Sequence, residues 1–391
     1  MAIDPEPERA RWGRSTAAVV AERPRRRVGP AMLGALALAV AAAGCAAGDG
    51  GDGGGGGVTG PPVGLAPDET TTTAPTRYGT AGAAPASTPA TTTGAVLDPT
   101  ATTGPPALRF GVAVPGADPE LVAALETEAG AEVGVVRVFA RWDTGFPTAE
   151  HRALLAAGRR LHLSVRPRTD AGEVIPWADI AAAAPGSAID DQLRRWARAI
   201  AAHGPQLYFT FNHEPETADS APNGTAPEFV AAWRRMVETL RAEGGDEVPT
   251  VLVLGRGAYA DGSFDDWYPG DDVVDVLGVD PYNWYDCQGT GRPWTSAEEL
   301  LAPALEVAVS RGKPLAVPEI ASTEDPADPD RKAAWIEDLG RYLGRPDVAE
   351  RVEFVAWFSV HDRAWPNCRW AYDSSPVSAE AFAGVVADLA G

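Results

Sequence analysis

From Leu108 onward, short apolar runs alternate with amphipathic segments. In residues 207–211, Leu207, Phe209 and Phe211 alternate with Tyr208 and Thr210. A run this rich in aromatic residues with period two predicts a buried strand. Comparable runs at 109–114, 133–139, 161–165, 250–254, 273–279, 314–317 and 354–358 predict seven more. Between them, 119–129, 148–160, 188–202, 227–243, 296–310, 330–343 and 377–389 have helical patterning. Leu193, Trp196, Ala197 and Ile200, for example, follow the i, i+3, i+4, i+7 spacing of a helix with one buried face. The connection after the fifth strand, 257–270, reads mostly as loop. Strict alternation of strand and helix over about 280 residues predicts an α/β fold, a (β/α)8 TIM barrel. A doubly wound sheet is the alternative, but no G-x-G-x-x-G or P-loop follows the first strand.

The first 107 residues lack this rhythm. Residues 1–27 carry seven Arg and four acidic residues, and an apolar run from Ala31 ends in Ala42-Ala43-Gly44-Cys45. A basic region, a short apolar region and small residues before a cleavage point make a secretory signal. The small residues directly before Cys45 resemble the lipobox of bacterial lipoproteins. Residues 1–45 are therefore expected to be a lipoprotein signal, with Cys45 lipidated. Residues 46–107 are Gly, Thr, Ala and Pro, too poor in apolar groups to offset the entropy of ordering. They are expected to form a disordered tether spanning on the order of 45 Å. The folded domain is 108–391, held outside the cell by a lipid anchor.

The formal net charge of −21 deepens once the basic leader is removed. So acidic a surface argues against nucleic acid and points to a neutral substrate. Cys287 and Cys368 are the cysteines of the folded part, and in an exported protein they suggest one disulfide, across the strand between their loops. Two Cys and five scattered His offer no ligand-spaced metal site. No cofactor is called for, and a monomer is expected.

Two strands end in chemistry. The fourth runs into Asn212-His213-Glu214-Pro215-Glu216, and Pro215 forbids further ladder pairing. The seventh runs into Pro318-Glu319-Ile320. In a barrel these glutamates would face one another across the mouth, where two carboxyls can run glycoside hydrolysis. Glu216 reads as a solvated loop residue. Arg137, inside an apolar run, needs a carboxylate partner if buried. Of twelve tryptophans, eight fall at strand ends or in the loops that follow, where indoles could stack on sugars, and Trp142, Trp284 and Trp357 are the candidates for that role.

Glutamates ending strands four and seven resemble the retaining glycosidases of clan A, and His213 before the first resembles glycoside hydrolase family 26. Residues 267–283, including Asp280-Pro281-Tyr282-Asn283, are similar to that family's sixth strand. Residues 313–322 resemble the seventh, and Trp357 with Asp373-Ser374-Ser375-Pro376 the closing segment. The resemblance covers most of 108–391. It implies Glu214 as acid/base, Glu319 as nucleophile held by Tyr282, Asn212 and His213 as sugar contacts, and Trp357 as the floor under the scissile sugar. The implied activity is endo-hydrolysis of a neutral β-linked polysaccharide, β-1,4-mannan first and β-1,3-1,4-glucan second. A glycan-binding lipoprotein without catalysis is the competing class. Strand three ends in Val165-Arg166-Pro167-Arg168 and strand five in Gly255-Arg256-Gly257, where the family's mannanases carry aromatic or His side chains.

Overall fold

The structure, a computed structural model, describes residues 109–360 and 367–390. The expected leader, lipidated Cys45 and tether all lie outside these residues. Eight parallel strands form the sheet: β1 (Arg109–Ala113), β2 (Val135–Arg141), β3 (Arg160–Arg166), β4 (Leu207–Phe211), β5 (Val251–Gly255), β6 (Val276–Asp280), β7 (Leu315–Ser322) and β8 (Val352–Phe358). Their order is β4-β3-β2-β1-β8-β7-β6-β5. A parallel bridge from Phe209 to Thr250 and the Phe209 amide donating to the Pro249 carbonyl at 2.9 Å join β4 to β5. The circle closes, and the fold is a (β/α)8 barrel.

Helices surround it where capping signals place them. Ser296 with Glu299 and Thr225 with Glu228 form reciprocal caps at the starts of Ala297–Arg311 and Ala226–Ala242. The helix predicted over 148–160 stops at Ala156. Gly158, at φ 84°, turns the chain there, and β3 begins at Arg160. The stretch after β5 holds two short helices, Arg256–Ala260 and Phe264–Trp267, rather than loop alone.

Period two sorts the strand residues into two cores. Val112, Val136, Leu163, Phe209, Leu252, Leu277, Val317 and Val355 face outward into the layer between barrel and helices. Val135, Tyr208, Val251, Val253, Val276, Ala316 and Phe354 fill the barrel itself. At its lower end Tyr208 donates to Glu353 Oε1 at 2.5 Å, and Arg109 pairs with the same oxygen at 2.7 Å. The next inward residues toward the C-terminal mouth are polar, and there the site is built.

Candidate active site

Strand β4 ends in a turn that few sequences adopt. Asn212 and Glu214 both have φ 48°, a left-handed conformation uncommon outside glycine. Neighbouring strands hold it in place: the Asn212 amide donates to Val165 O and the Glu214 amide to Val253 O, each at 2.9 Å. Asn212 also ties the turn from within, its Nδ2 reaching Ser220 Oγ and His213 O, both at 3.2 Å. Its side chain is buried and braces the turn.

Glu319 reaches the interior through an irregularity. On β7, Val317 pairs with Val355 of β8 and Ile320 with Trp357, which leaves one extra residue on β7. Pro318, without an N–H, sits in this bulge. Ile320 keeps to the outer layer, and Glu319 turns inward with Ala316. Arg137, whose side chain is fully buried on β2, donates to Glu319 Oε1 from Nη2 at 3.1 Å and Nε at 3.3 Å. Tyr282, in a two-residue extension (Tyr282–Asn283) that pairs with the end of β7, donates to Oε2 at 2.7 Å. Both oxygens are thus held by donors, one of them charge-assisted. Arg137, which the sequence showed to need a carboxylate partner if buried, has the candidate nucleophile as that partner.

Glu214 has a different environment. Burial first, then the charges of Glu319 and Glu216, push its carboxyl up to about 8. Asp280, at the inward end of β6, is pushed well above the usual carboxylate range by burial and then by Glu319. His213 shares a hydrogen bond of 2.8 Å between Nδ1 and Ser164 Oγ. Desolvation first, then Arg166, Arg137 and His162, holds its imidazole well below its ordinary value, so the ring is neutral. The site therefore pairs a fixed carboxylate with a carboxyl poised to keep its proton, a division of labour suited to acid/base and nucleophilic catalysis on one bond. Among the described residues, no three His, Cys, Asp or Glu side chains gather as metal ligands.

Trp357 and Trp142 do not face the cleft, and the expectation for them is corrected here. Trp357 is fully buried in the outer layer, 6.1 Å from the Trp335 ring and 5.5 Å from Phe382, with its Nε1 donating to Trp370 O at 3.0 Å. Trp142 is buried in the same outer core, its carbonyl accepting from Trp196 Nε1. The reason is parity. Phe354 points into the barrel, so Phe358 does too and Trp357 points out. Val135, Arg137 and Phe139 point in, so Trp142 points out. Trp284 is half-buried at the rim, packed edge-on against Trp370 at 4.9 Å with the Arg292 guanidinium over its ring.

Of the aromatics that parity does bring to the mouth, Phe139 is the exposed one. It is 47% exposed, lies 5.4 Å from the His213 ring and carries the Arg137 guanidinium 4.6 Å from its centroid. It thus bridges the elements that position Glu214 and Glu319. Its signal was available in the sequence: it lies two residues beyond Arg137 on the same strand face. Glu216, expected in solvent, is largely buried. Its Oε1 accepts from the Gly255 amide at 2.5 Å, and burial pushes it up to about 7. Cys287 and Cys368 form a disulfide, with Cα atoms 5.0 Å apart and a sequence separation of 81. It links the loop after β6 to the loop after β8, across β7.

No family model matches the chain. It is 26% identical over 270 residues to endoglucanase H of Acetivibrio thermocellus, a match covering 65% of this chain and 27% of that enzyme. The chain thus spans about a quarter of the curated relative it matches. Its fold is similar to a GH26 β-mannanase from Bacteroides ovatus, with TM-score 0.53, 18% identity, and coverage of 73% of this chain and 89% of that one. A modular endo-β-1,4-mannanase from Cellulomonas fimi gives TM-score 0.52 at 17% identity, covering 71% and 70%. An endo-β-1,4-glucanase from Xanthomonas axonopodis pv. citri gives 0.51 at 14%, covering 71% and 99%. At these identities the likeness establishes the barrel fold.

Proposed function

We propose that this chain is a retaining endo-β-glycanase of glycoside hydrolase family 26. The observation that carries the reading is the asymmetry of the two carboxyls, Glu319 gripped by Tyr282 and Arg137, Glu214 desolvated and proton-holding. In the first step Glu319 attacks the anomeric carbon while Glu214 gives its proton to the departing glycosidic oxygen, leaving a glycosyl ester on Glu319. In the second, the Glu214 carboxylate takes a proton from water, whose oxygen displaces Glu319 and restores the anomeric configuration. Tyr282 and Arg137 orient the attacking carboxylate. Phe139 supplies the apolar face on which a sugar ring stacks, and neutral His213 beside it hydrogen-bonds a sugar hydroxyl.

The first substrate is β-1,4-mannan. Mixed-linkage β-1,3-1,4-glucan is the second, favoured by the sequence likeness to an endoglucanase. A glycan-binding protein without chemistry has no use for a desolvated acid beside a fixed carboxylate. From the leader alone, export and lipidation at Cys45 belong to the same proposal. A Cys45→Ala variant that still partitions into detergent would sink the anchor and leave the rest intact.

The test is how the two variants fail. Glu319→Ala should lose turnover of every substrate by several orders of magnitude. Glu214→Ala should still release phenol in a burst from a dinitrophenyl glycoside, because that leaving group needs no proton. Azide should then accelerate its turnover and give a β-glycosyl azide. Reversed phenotypes reverse the roles, and full activity in either variant removes the mechanism. Reducing ends released from mannan, mixed-linkage glucan and xylan decide the substrate.

A further inference from the structure

Glu216 has no part in the mechanism above, yet it is built into the site. Pro215 carries the chain on from Glu214, and the Glu216 side chain returns to the end of β5, where the Gly255 amide donates to its Oε1. Its Oε2 is buried and has no hydrogen-bond partner among the described residues. A Cβ on Gly255 would stand 2.9 Å from Glu216 Oε1 and 3.6 Å from Glu214 Oε1. The Gly255 backbone, at φ −67° and ψ 157°, suits any residue. A side chain there would press on the Glu216 carboxyl, whereas Glu214 Oε1 stands at ordinary contact distance. The missing side chain at the end of β5 thus has a cause: its space holds a second carboxyl beside Glu214.

The surrounding charges leave that carboxyl little else to act on. Glu214 is faced by Glu319 from β7, Glu216 from its own loop, Asp280 from β6, Tyr282 from the extension after it, Arg166 from β3 and Arg137 from β2. Glu216 is faced by Glu214, by Asp261 and by Tyr259. The Tyr259 hydroxyl is committed to the Gly278 carbonyl at 2.8 Å.

Resting on the reading of Glu214 as the acid/base, we propose that Glu216 is a positioning residue whose charge, set across the bare Cα of Gly255, keeps the proton on Glu214. The two chemical steps treat its neighbours unequally. Glu319 loses its charge when it becomes the glycosyl ester, so its hold on the Glu214 proton comes and goes. Glu216 takes no part in bond making and keeps its influence in both halves of the cycle. The Gly255 amide favours the ionised form of Glu216, and no such donor among the described residues reaches Glu214, so Glu216 takes on its charge first.

Glu216→Gln tests this, because the amide keeps an oxygen for the Gly255 N–H and nearly the same volume while removing the charge. The readout is the alkaline limb of kcat/KM on an unactivated oligosaccharide, which reports Glu214 in the free enzyme. The limb should move to lower pH by about one unit. Glu216→Asp, which retains the charge, should keep the limb within about a third of that shift. A role in packing alone would lower kcat or thermal stability and leave the limb where it was. An unmoved limb in Glu216→Gln overturns the proposal. Should that variant fail to fold, Gly255→Ala displaces the Glu216 carboxyl from the other side, and an unmoved limb there overturns it equally. Azide rescue of Glu214→Ala separates the two readings. Rescue with an unmoved limb rejects only the role of Glu216. Absence of rescue rejects Glu214 as acid/base, whatever the limb does.

Discussion

If Glu214 is kept protonated by its surroundings, the protein gives up stability to do so, and Glu214→Gln should recover it. The sign follows from linkage. The folded carboxyl binds its proton up to about 8, whereas the unfolded one releases it near 4.5. The stabilising effect of that proton is complete below the unfolded value and declines as pH rises from 4.5 through 8. At 1.36 kcal/mol per unit, the parent protein is penalised by about 3 kcal/mol at pH 7 and roughly 4–5 kcal/mol above pH 8. Glutamine has the same shape and never ionises, so the variant escapes the penalty. For a domain of this size the gain at pH 7 corresponds to a thermal midpoint roughly 6–12 °C higher. Circular dichroism melts of parent and variant at pH 5 and pH 8 measure it. The two proteins should nearly coincide at pH 5, where the difference is under about 1 kcal/mol, and separate at pH 8. Equal separations at both pH values, or a less stable glutamine variant at pH 8, would refute the claim that burial holds the proton on Glu214. Such a gain in stability with loss of turnover is the trade expected of a desolvated catalytic group.

Three further outcomes follow from contacts described above. Phe139→Ala should raise KM for oligosaccharides about tenfold, as expected for about 1.4 kcal/mol of lost stacking, while Phe139→Trp should restore it; an unchanged KM in the alanine variant would remove Phe139 from the cleft. Arg137→Met strands the buried Glu319 carboxylate without its cation and should destabilise the fold by about 3–5 kcal/mol in chemical denaturation, with turnover abolished; a stability loss under about 1 kcal/mol would mean the pair is not buried as described. Cys287→Ser with Cys368→Ser opens a closed loop of 81 residues, worth about 4.5 kcal/mol in the chain-entropy account, and the parent protein should show the same drop in melting temperature when reduced.

The alternation of apolar runs and amphipathic segments was enough for the barrel, because each strand needs one face for the interior and one for the helix layer. The carboxyls at the ends of β4 and β7 were legible for the same reason: a strand that ends in Glu-Pro or follows Pro-Glu has left regular pairing, and in a barrel that happens at the mouth. His213 and Tyr282 were also legible, through likeness to a known pattern and not through periodicity.

The choice between two buried compartments was not legible. In a parallel barrel both faces of a strand are apolar, so Trp357 and Trp142 read as buried aromatics near the mouth whichever way they point. Only the register shows that they pack on helices, while Phe139 and Phe358 turn inward. The inward turn of Glu319 depends on one extra residue in β7 relative to β8, a property of a pair of strands that neither strand carries alone. Arg137 announced that it needed an anion, but 182 residues separate it from Glu319 and only closure of the barrel brings them within 3.1 Å. Glu216 was misread as solvated because its burial is created by an empty place on another strand, the missing side chain of Gly255. Local sequence therefore determined the elements, their order and the residues at their ends. Tertiary structure decided which of two buried faces each side chain occupies and which charges meet, because those depend on strand register and barrel closure between residues far apart in the chain.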